Sequence, residues 1–300
     1  MKNRMRVLIT GHSGMLGKDI SNIFKHKGAS VYGYDICKNP EFDNHKQFIS
    51  DLKDNELLQN ALDVCNPNLI IYSAAIVDLE LCEFNHELAE IVHIRAAEFL
   101  AKQKNVNAKL YYISTDSVFD GNKGNYSEHD HVSPLNYYSW SKYEGEKKVL
   151  EYPNTTVIRT NIYGFSNPMK NSLSEWAIKK LTKKEPIIGF EDIVFNAMYT
   201  KDLAKILFDL NSFDTEGILN IACEGKWTKF EFLSTLACIL GLDKTLIKKG
   251  KSSINELKIK RPLKTNLDIS KINTFLKMPT LEESVINFCS NIKNQIYEIR

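Results

Sequence analysis

Tyrosine precedes lysine by four residues twice in quick succession, at Tyr138/Lys142 and at Tyr143/Lys147. Positions i and i+4 share a helix face, so an ammonium can lie beside a phenol and beside whatever that phenol addresses. A neighbouring cation favours the phenolate and lowers a tyrosine pKa from about 10, which suits a proton donor to a carbonyl or alkoxide. The same spacing also describes surface pairs on an amphipathic helix. Five residues turn a helix face by about 140°, so both pairs cannot address one ligand.

Other segments carry residue types that would complete such a site. Gly11-His12-Ser13-Gly14-Met15-Leu16-Gly17 follows a short apolar run and opens a helical pattern. Glycines there permit close backbone approach, and a helix N-terminus offers free N–H groups and positive dipole to a pyrophosphate, so the segment is a dinucleotide-binding candidate. Its spacing is G-x-x-G-x-x-G, not the G-x-G-x-x-G of the usual fingerprint. Asp35 ends the next apolar run, where a carboxylate can accept hydrogen bonds from an adenosine ribose and repel a 2′-phosphate. That favours NADH over NADPH within an NAD(P)H reading, although Lys38 lies close by. Asp51 and Leu52 are placed to edge an adenine, and Ser73-Ala74-Ala75 is small enough for backbone to approach a cofactor. Ser114-Thr115-Asp116 offers hydroxyls for a substrate oxygen on which negative charge develops, with Thr115 the candidate.

These residues must be positioned by regular elements. Apolar, β-branched runs at 6–10, 30–34, 69–72, 109–113 and 155–159 alternate with helical patterns at 16–26, 54–65, 86–103 and 136–150. Alternation of this kind implies right-handed crossovers and an α/β, doubly wound parallel sheet, with ligands gathered at the carboxyl ends of the strands. Beyond residue 161 the pattern loosens into helices at 172–183, 201–210 and 229–240, an apolar segment at 186–190 and a strand at 218–222. A lysine-rich, loop-containing stretch at 244–264 follows, its Lys248–Lys251 cluster expected to be solvated. The division expected is a Rossmann-type NAD(P)-binding domain over 1–165, completed by parts of 191–225. A smaller C-terminal substrate-binding region would take 166–190 and 226–300.

Composition narrows the function classes. The chain has 300 residues, 43% of them hydrophobic, enough for a sizeable core. A formal charge of +2, with lysines scattered among acids, argues against a nucleic-acid partner. No run approaches the roughly 20 apolar residues of a membrane span, and the start is too polar for a signal peptide, so no membrane partner and a cytoplasmic location are expected. The six cysteines lie far apart without C-x-x-C spacing, and the seven histidines form no H-E-x-x-H cluster. Buried thiols and no metal site are the expectation.

The glycine triple, Ser114-Thr115-Asp116 and Pro134-x-Asn136-x-Tyr138-x-x-Ser141-Lys142-x-x-Gly145-Glu146 together resemble an extended short-chain dehydrogenase/reductase. Ser114-Thr115-Asp116-x-Val118-Phe119-Asp120-Gly121 followed by that Pro134 motif is similar to the dTDP-4-dehydrorhamnose reductases and relatives that act on nucleotide sugars. Glu128, Arg159-Thr160-Asn161-Ile162-Tyr163-Gly164, Arg261-Pro262 and Leu267-Asp268 extend the resemblance along nearly the whole chain. It implies that Tyr138 is the general acid, that Lys142 lowers its pKa and binds the nicotinamide ribose, and that Thr115, beside Asp116, bonds the substrate oxygen. Pro134 and Asn136 fix the register on Tyr138 instead of Tyr143. Asn161, Trp176 and Arg261 are candidates to line the sugar and diphosphate pocket, by hydrogen bond, stacking ring and bidentate cation. A homodimer is common among such proteins.

Departures from the family pattern stand at three positions: His93 replaces a usual asparagine, and Ser139 and Trp140 replace smaller or differently polar residues. The expected activity is NAD(P)H-dependent reduction of a keto group on a nucleotide-linked 6-deoxysugar. Two rivals are an epimerase or dehydratase on the same fold and a non-catalytic NAD(P)-binding regulatory subunit, because the chain also resembles the regulatory subunit of methionine adenosyltransferase.

Overall fold

The computed structural model describes residues 4–40, 42–166, 172–252 and 258–297. Strand β1 (Arg6–Thr10) feeds helix α1 (Met15–His26), which is followed by β2 (Ser30–Asp35), β3 (Gln47–Ile49), α2 (Asn55–Cys65) and β4 (Leu69–Tyr72). Three short helices come next, α3 (Leu79–Phe84), α4 (His86–Glu90) and α5 (Ala96–Gln103), with a π-helical turn at Ile91–Arg95 between the last two. Strand β5 (Lys109–Thr115), helix α6 (Tyr137–Val149), β6 (Thr155–Thr160) and β7 (Ile162–Tyr163) complete the first half. The second half holds α7 (Leu173–Thr182), β8 (Ile187–Phe190), β9 (Val194–Phe195), β10 (Met198–Tyr199), α8 (Thr200–Leu210) and β11 (Gly217–Asn220). After them come β12 (Trp227–Thr228), α9 (Lys229–Ile239), β13 (Ile247–Gly250) and α10 (Leu281–Tyr297).

Seven strands form one parallel sheet in the order β11-β6-β5-β4-β1-β2-β3. Side chains alternate across it, so Val7 and Ile9 join Ile20, Phe24 and Leu207 on one face while Leu8, Ile70 and Tyr112 join Leu58, Leu100 and Val149 on the other. Burial on both faces explains why these strands read as continuous apolar runs. The strand order reverses between β1 and β4, the switch point beside which ligands gather in such sheets. A separate cluster packs α7, α9 and α10 together through Ile178, Leu181, Phe232, Leu236 and Phe288.

Several local expectations are corrected. The single helix over 86–103 is broken by the π-turn, where the Tyr72 hydroxyl donates to Val92 O (2.6 Å) and the Tyr112 hydroxyl donates to His93 O (2.7 Å). Carbonyls engaged from outside loosen the i→i−4 ladder at that turn. Lys248 and Lys249 are solvated, but on strand β13 paired with β8 and not on a loop. All six cysteines are free; Cys37 and Cys238 are exposed where buried thiols were expected. Residues 167–171 and 253–257, inside the proposed substrate region and the lysine-rich stretch, lie outside the described residues, as do 1–3 and 298–300.

Candidate active site

The glycine turn after β1 is built for close approach. Gly11 has φ +71°, and a Cβ there would stand 2.8 Å from the Ala74 Cα; at Gly17 it would stand 2.1 Å from Gly11 O. Gly14 caps α1 without a side-chain hydrogen bond, which leaves the helix N-terminal donors to another acceptor. Ser73 Oγ donates to Thr10 O (2.6 Å), and Ala74 N donates to Thr10 Oγ1 (3.3 Å), so the end of β4 is clamped beside that turn. Ala75 next to it is exposed. Asp35 lies within the same group: its carboxylate accepts from Ser13 N (2.9 Å), Ser13 Oγ (2.8 Å) and Cys37 N (3.2 Å). Uncapped donors, a cradle that any Cβ would fill and a carboxylate at the end of β2 fit a dinucleotide. Leu52 buries its side chain among Leu8, Tyr34 and Leu58, and the neighbouring Asp51 carbonyl accepts from the Tyr34 hydroxyl (3.0 Å).

Asn136 starts α6 as its N-cap, accepting from Ser139 N (2.9 Å), while its amide donates to Lys260 O (2.9 Å). This is the physical content of the Pro134-x-Asn136 anchor: one side chain fixes the helix start and ties it to the segment preceding Arg261. One residue into the helix, Tyr138 is placed with its phenol next to the Thr115 hydroxyl. Thr115 accepts from Ser117 N (3.1 Å) and donates to Asp116 Oδ1 (3.3 Å). Asp116 is buried and takes a further hydrogen bond from Asn161 Nδ2 (2.7 Å), with the Thr265 side chain nearby. Burial raises its pKa in spite of those donors.

Burial, opposed by the neighbouring Thr115 hydroxyl and reinforced by the Asp116 carboxylate, pushes the Tyr138 phenol up to about 12. This differs from the expectation that Lys142 draws it down. The lysine is buried, donates to Ile113 O (2.7 Å) and sits 4.0 Å over the Tyr112 ring. Burial brings its own pKa down to about 7, against a weaker upward pull from Glu146. The phenol is thus held protonated across the neutral range, which suits a proton donor.

Tyr138, Asn136, Ser139, Asn161 and Arg261 line a cavity of about 320 Å³, with Phe190, Phe195, Lys229 and Thr265 among the other walls. Sequence reasoning missed Lys229, which stands at the start of α9 with its backbone N–H on Ile193 O (3.0 Å). Its ammonium and the Arg261 guanidinium have no hydrogen-bond or ion-pair partner among the described residues, and each feels the other's charge. Burial and Arg261 lower the Lys229 pKa, while Asp116 pulls it upward. The Thr228–Glu231 capping box is the local signal for the helix start; the proximity to Asp116 spans the chain and has no local signature.

One expectation fails here. Trp176 does not line the cavity; it is half-buried against the apolar cluster of α7, α9 and α10, because the inward stripe of α7 faces that cluster. Trp140 also points away, tilted against Tyr137 (4.8 Å), whereas Ser139 is buried at the cavity wall. Tyr143 packs beside Val118 and Phe119, and Lys147 lies 5.1 Å from its ring in an exposed pair with Glu144. The second tyrosine–lysine pair is thus turned from the cavity, as the helical rotation requires.

Comparison with known proteins places these observations among relatives. The sequence model described as "RmlD substrate binding domain" matches residues 5–293. A probable low-salt glycan biosynthesis reductase of Haloferax volcanii is 27% identical over 289 residues, which cover 94% of this chain and 96% of that protein. The methionine adenosyltransferase 2 subunit beta of Danio rerio is 28% identical, covering 77% of this chain and 73% of its own. Among solved structures, a dTDP-4-dehydrorhamnose reductase of Bacillus anthracis in complex with NADP superposes with a TM-score of 0.84 at 26% identity, covering 96% of this chain and 99% of that one.

Proposed function

We propose that this chain, which belongs to the RmlD substrate binding domain family and is an oxidoreductase of the extended short-chain type, reduces a keto group on a nucleotide-linked 6-deoxysugar. The observation that carries the reading is a single cavity. One wall presents Tyr138, with Thr115 next to its phenol, and the cavity is also lined by two cations, Lys229 and Arg261, that form no ion pair among the described residues. A keto sugar needs an acid at its oxygen, and a nucleoside diphosphate needs positive charge some distance away. A bound nicotinamide cofactor would supply the hydride.

The residues divide the remaining work. Gly11, Ser13, Gly14, Met15, Leu16 and Gly17 hold the pyrophosphate at the start of α1, and Asp35 the adenosine ribose, with Asp51, Leu52, Ser73, Ala74 and Ala75 edging the cleft. Lys142 reaches the nicotinamide ribose. Thr115 and Tyr138 take the sugar oxygen between them, and Tyr138 delivers its proton as negative charge develops there. Asp116 orients Thr115 and Asn161. Residues 166–190 and 226–300 form the substrate-binding region, with Lys229 and Arg261 on the diphosphate. Asp35 favours NADH over NADPH; Asp35→Asn should move the ratio of kcat/KM toward NADPH.

The test is oxidation of NADH or NADPH by nucleotide-linked 4-keto sugars. Tyr138→Phe should lose roughly 10²- to 10⁴-fold in turnover while still binding cofactor. Near-normal activity in that variant overturns the assignment. The likeness to a methionine adenosyltransferase regulatory subunit favours a second reading, a non-catalytic partner of another enzyme. No turnover on any keto sugar, together with co-purification of a synthetase, would select it.

A further inference from the structure

His93 is fully buried on the π-turn, beside the catalytic helix, and the function above does not use it. Its hydrogen bonds define its protonation. Ile76 N donates to His93 Nε2 at 3.0 Å, so that nitrogen carries no proton. The proton of the neutral ring therefore sits on Nδ1, which lies 2.8 Å from Ser141 Oγ and donates to it. Ser141 in turn donates to the backbone carbonyl of Tyr138 at 3.0 Å. Every group in the series Ile76, His93, Ser141, Tyr138 has its donor and acceptor roles fixed by the next.

The surroundings keep the ring in that state. Burial first, and then the Lys142 charge, hold its pKa well below the ordinary histidine value. The other titratable groups against it are the phenol of Tyr138, whose ring meets the imidazole edge-on at 5.7 Å, and that of Tyr112, which donates to His93 O at 2.7 Å. Backbone contact is equally close: a Cβ at Gly145 would stand 2.2 Å from His93 O and 2.3 Å from the Tyr112 hydroxyl. Helix α6 is pressed onto the π-turn at that point, with no room for a side chain.

We propose that His93 is a positioning residue, a hydrogen-bonded strut that sets Tyr138 relative to the segment after β4 by linking Ile76 N–H through Ser141 to the Tyr138 carbonyl. Ile76 follows Ser73-Ala74-Ala75 directly, so the strut spans from the cofactor cleft to the proton donor. Its catalytic consequence rests on the reductase reading; its hydrogen-bond pattern does not. A displacement of about 1 Å at a reacting group can cost about a hundredfold in rate, which gives such a strut kinetic weight.

The experiment has two arms. In His93→Phe, which keeps the ring and loses both nitrogens, kcat should fall by at least about tenfold while the KM for cofactor and sugar changes less than about twofold. His93→Gln, whose amide oxygen can again accept from Ile76 N–H, should recover most of that loss. Unchanged kcat in the folded His93→Phe variant, or no difference between the two variants, overturns the proposal. In the second arm, nitrogen NMR of the unmodified protein should show the imidazole neutral with its proton on Nδ1 throughout the near-neutral range. An imidazolium, or a proton on Nε2, overturns it. If the unmodified protein turns over no keto sugar, the reductase reading fails and the NMR arm alone decides the strut. The same arm decides if the variants do not fold.

Discussion

One turn apart on helix α6, Lys142 and Glu146 are each about 1% exposed, yet they are treated in opposite ways by their surroundings. Glu146 is clasped by Arg159, whose Nη2 donates to it at 2.7 Å and whose Nε donates to both of its oxygens, and Ser114 Oγ donates at 2.5 Å. Among the described residues Lys142 has only the carbonyl of Ile113 and the face of Tyr112. A buried charge with a full set of partners holds elements in register; it joins α6 to β5 and β6 here. A buried amine with a single neutral acceptor is kept at a cost and has its pKa brought down to about 7, which fits the role proposed for it.

The contrast can be broken from either side. Lys142→Met should lower kcat by roughly a hundredfold or more while leaving the fold intact, measured by steady-state turnover and circular dichroism. Glu146→Gln should do the reverse, leaving Arg159 buried without its counter-charge and costing about 3–5 kcal/mol in denaturant unfolding. Replacing both partners, Glu146→Leu with Arg159→Met, should return most of that stability. If the double variant is as unstable as the single one, the ion pair stabilises the fold beyond what a matched apolar pair supplies.

The pH dependence of stability separates the two turns again. Lys142 has a pKa of about 7 when folded against 10.5 when free, so between those values the unfolded chain holds the additional proton. Stability then rises with pH by about 1.4 kcal/mol per unit from this group, and its full penalty is present below the folded value. Lys142→Met should therefore be more stable than the parent below pH 7, with the margin shrinking as the pH approaches 10.5. The smallest effect belongs to Tyr143→Phe, whose activity should stay within about twofold of the parent, since its ring is turned from the cavity.

Legibility followed the range of the interactions. The strands were readable because burial on both faces makes them unbroken apolar runs, and the start of α6 because Asn136 caps it locally. Helical rotation, a local rule, showed that Tyr138 and Tyr143 cannot serve one ligand, and the Pro134-x-Asn136 anchor of the resemblance chose between them. The π-turn at Ile91–Arg95 was not readable, since it depends on hydroxyls of Tyr72 and Tyr112 from two different strands. Helix α10 gave no expectation at all, its apolar stripe being interleaved with polar residues. Lys229 escaped because its neighbours Asp116 and Arg261 are brought to it by the fold. Trp176 was misplaced for a related reason: an aromatic on an amphipathic helix points to whichever surface its stripe covers, and the sequence does not say which.

Strand β11 belongs to the sheet begun by β1 but is separated from its partner β6 by the whole run from β7 to α8. A polypeptide emerging from the ribosome therefore presents β6 as a bare edge until residue 217 has been made, with Val157 and Ile158 awaiting cover and unpaired amides open to another chain. An expression fragment ended at residue 165 would carry that edge permanently and is expected to aggregate, whereas one extended past Asn220 closes it.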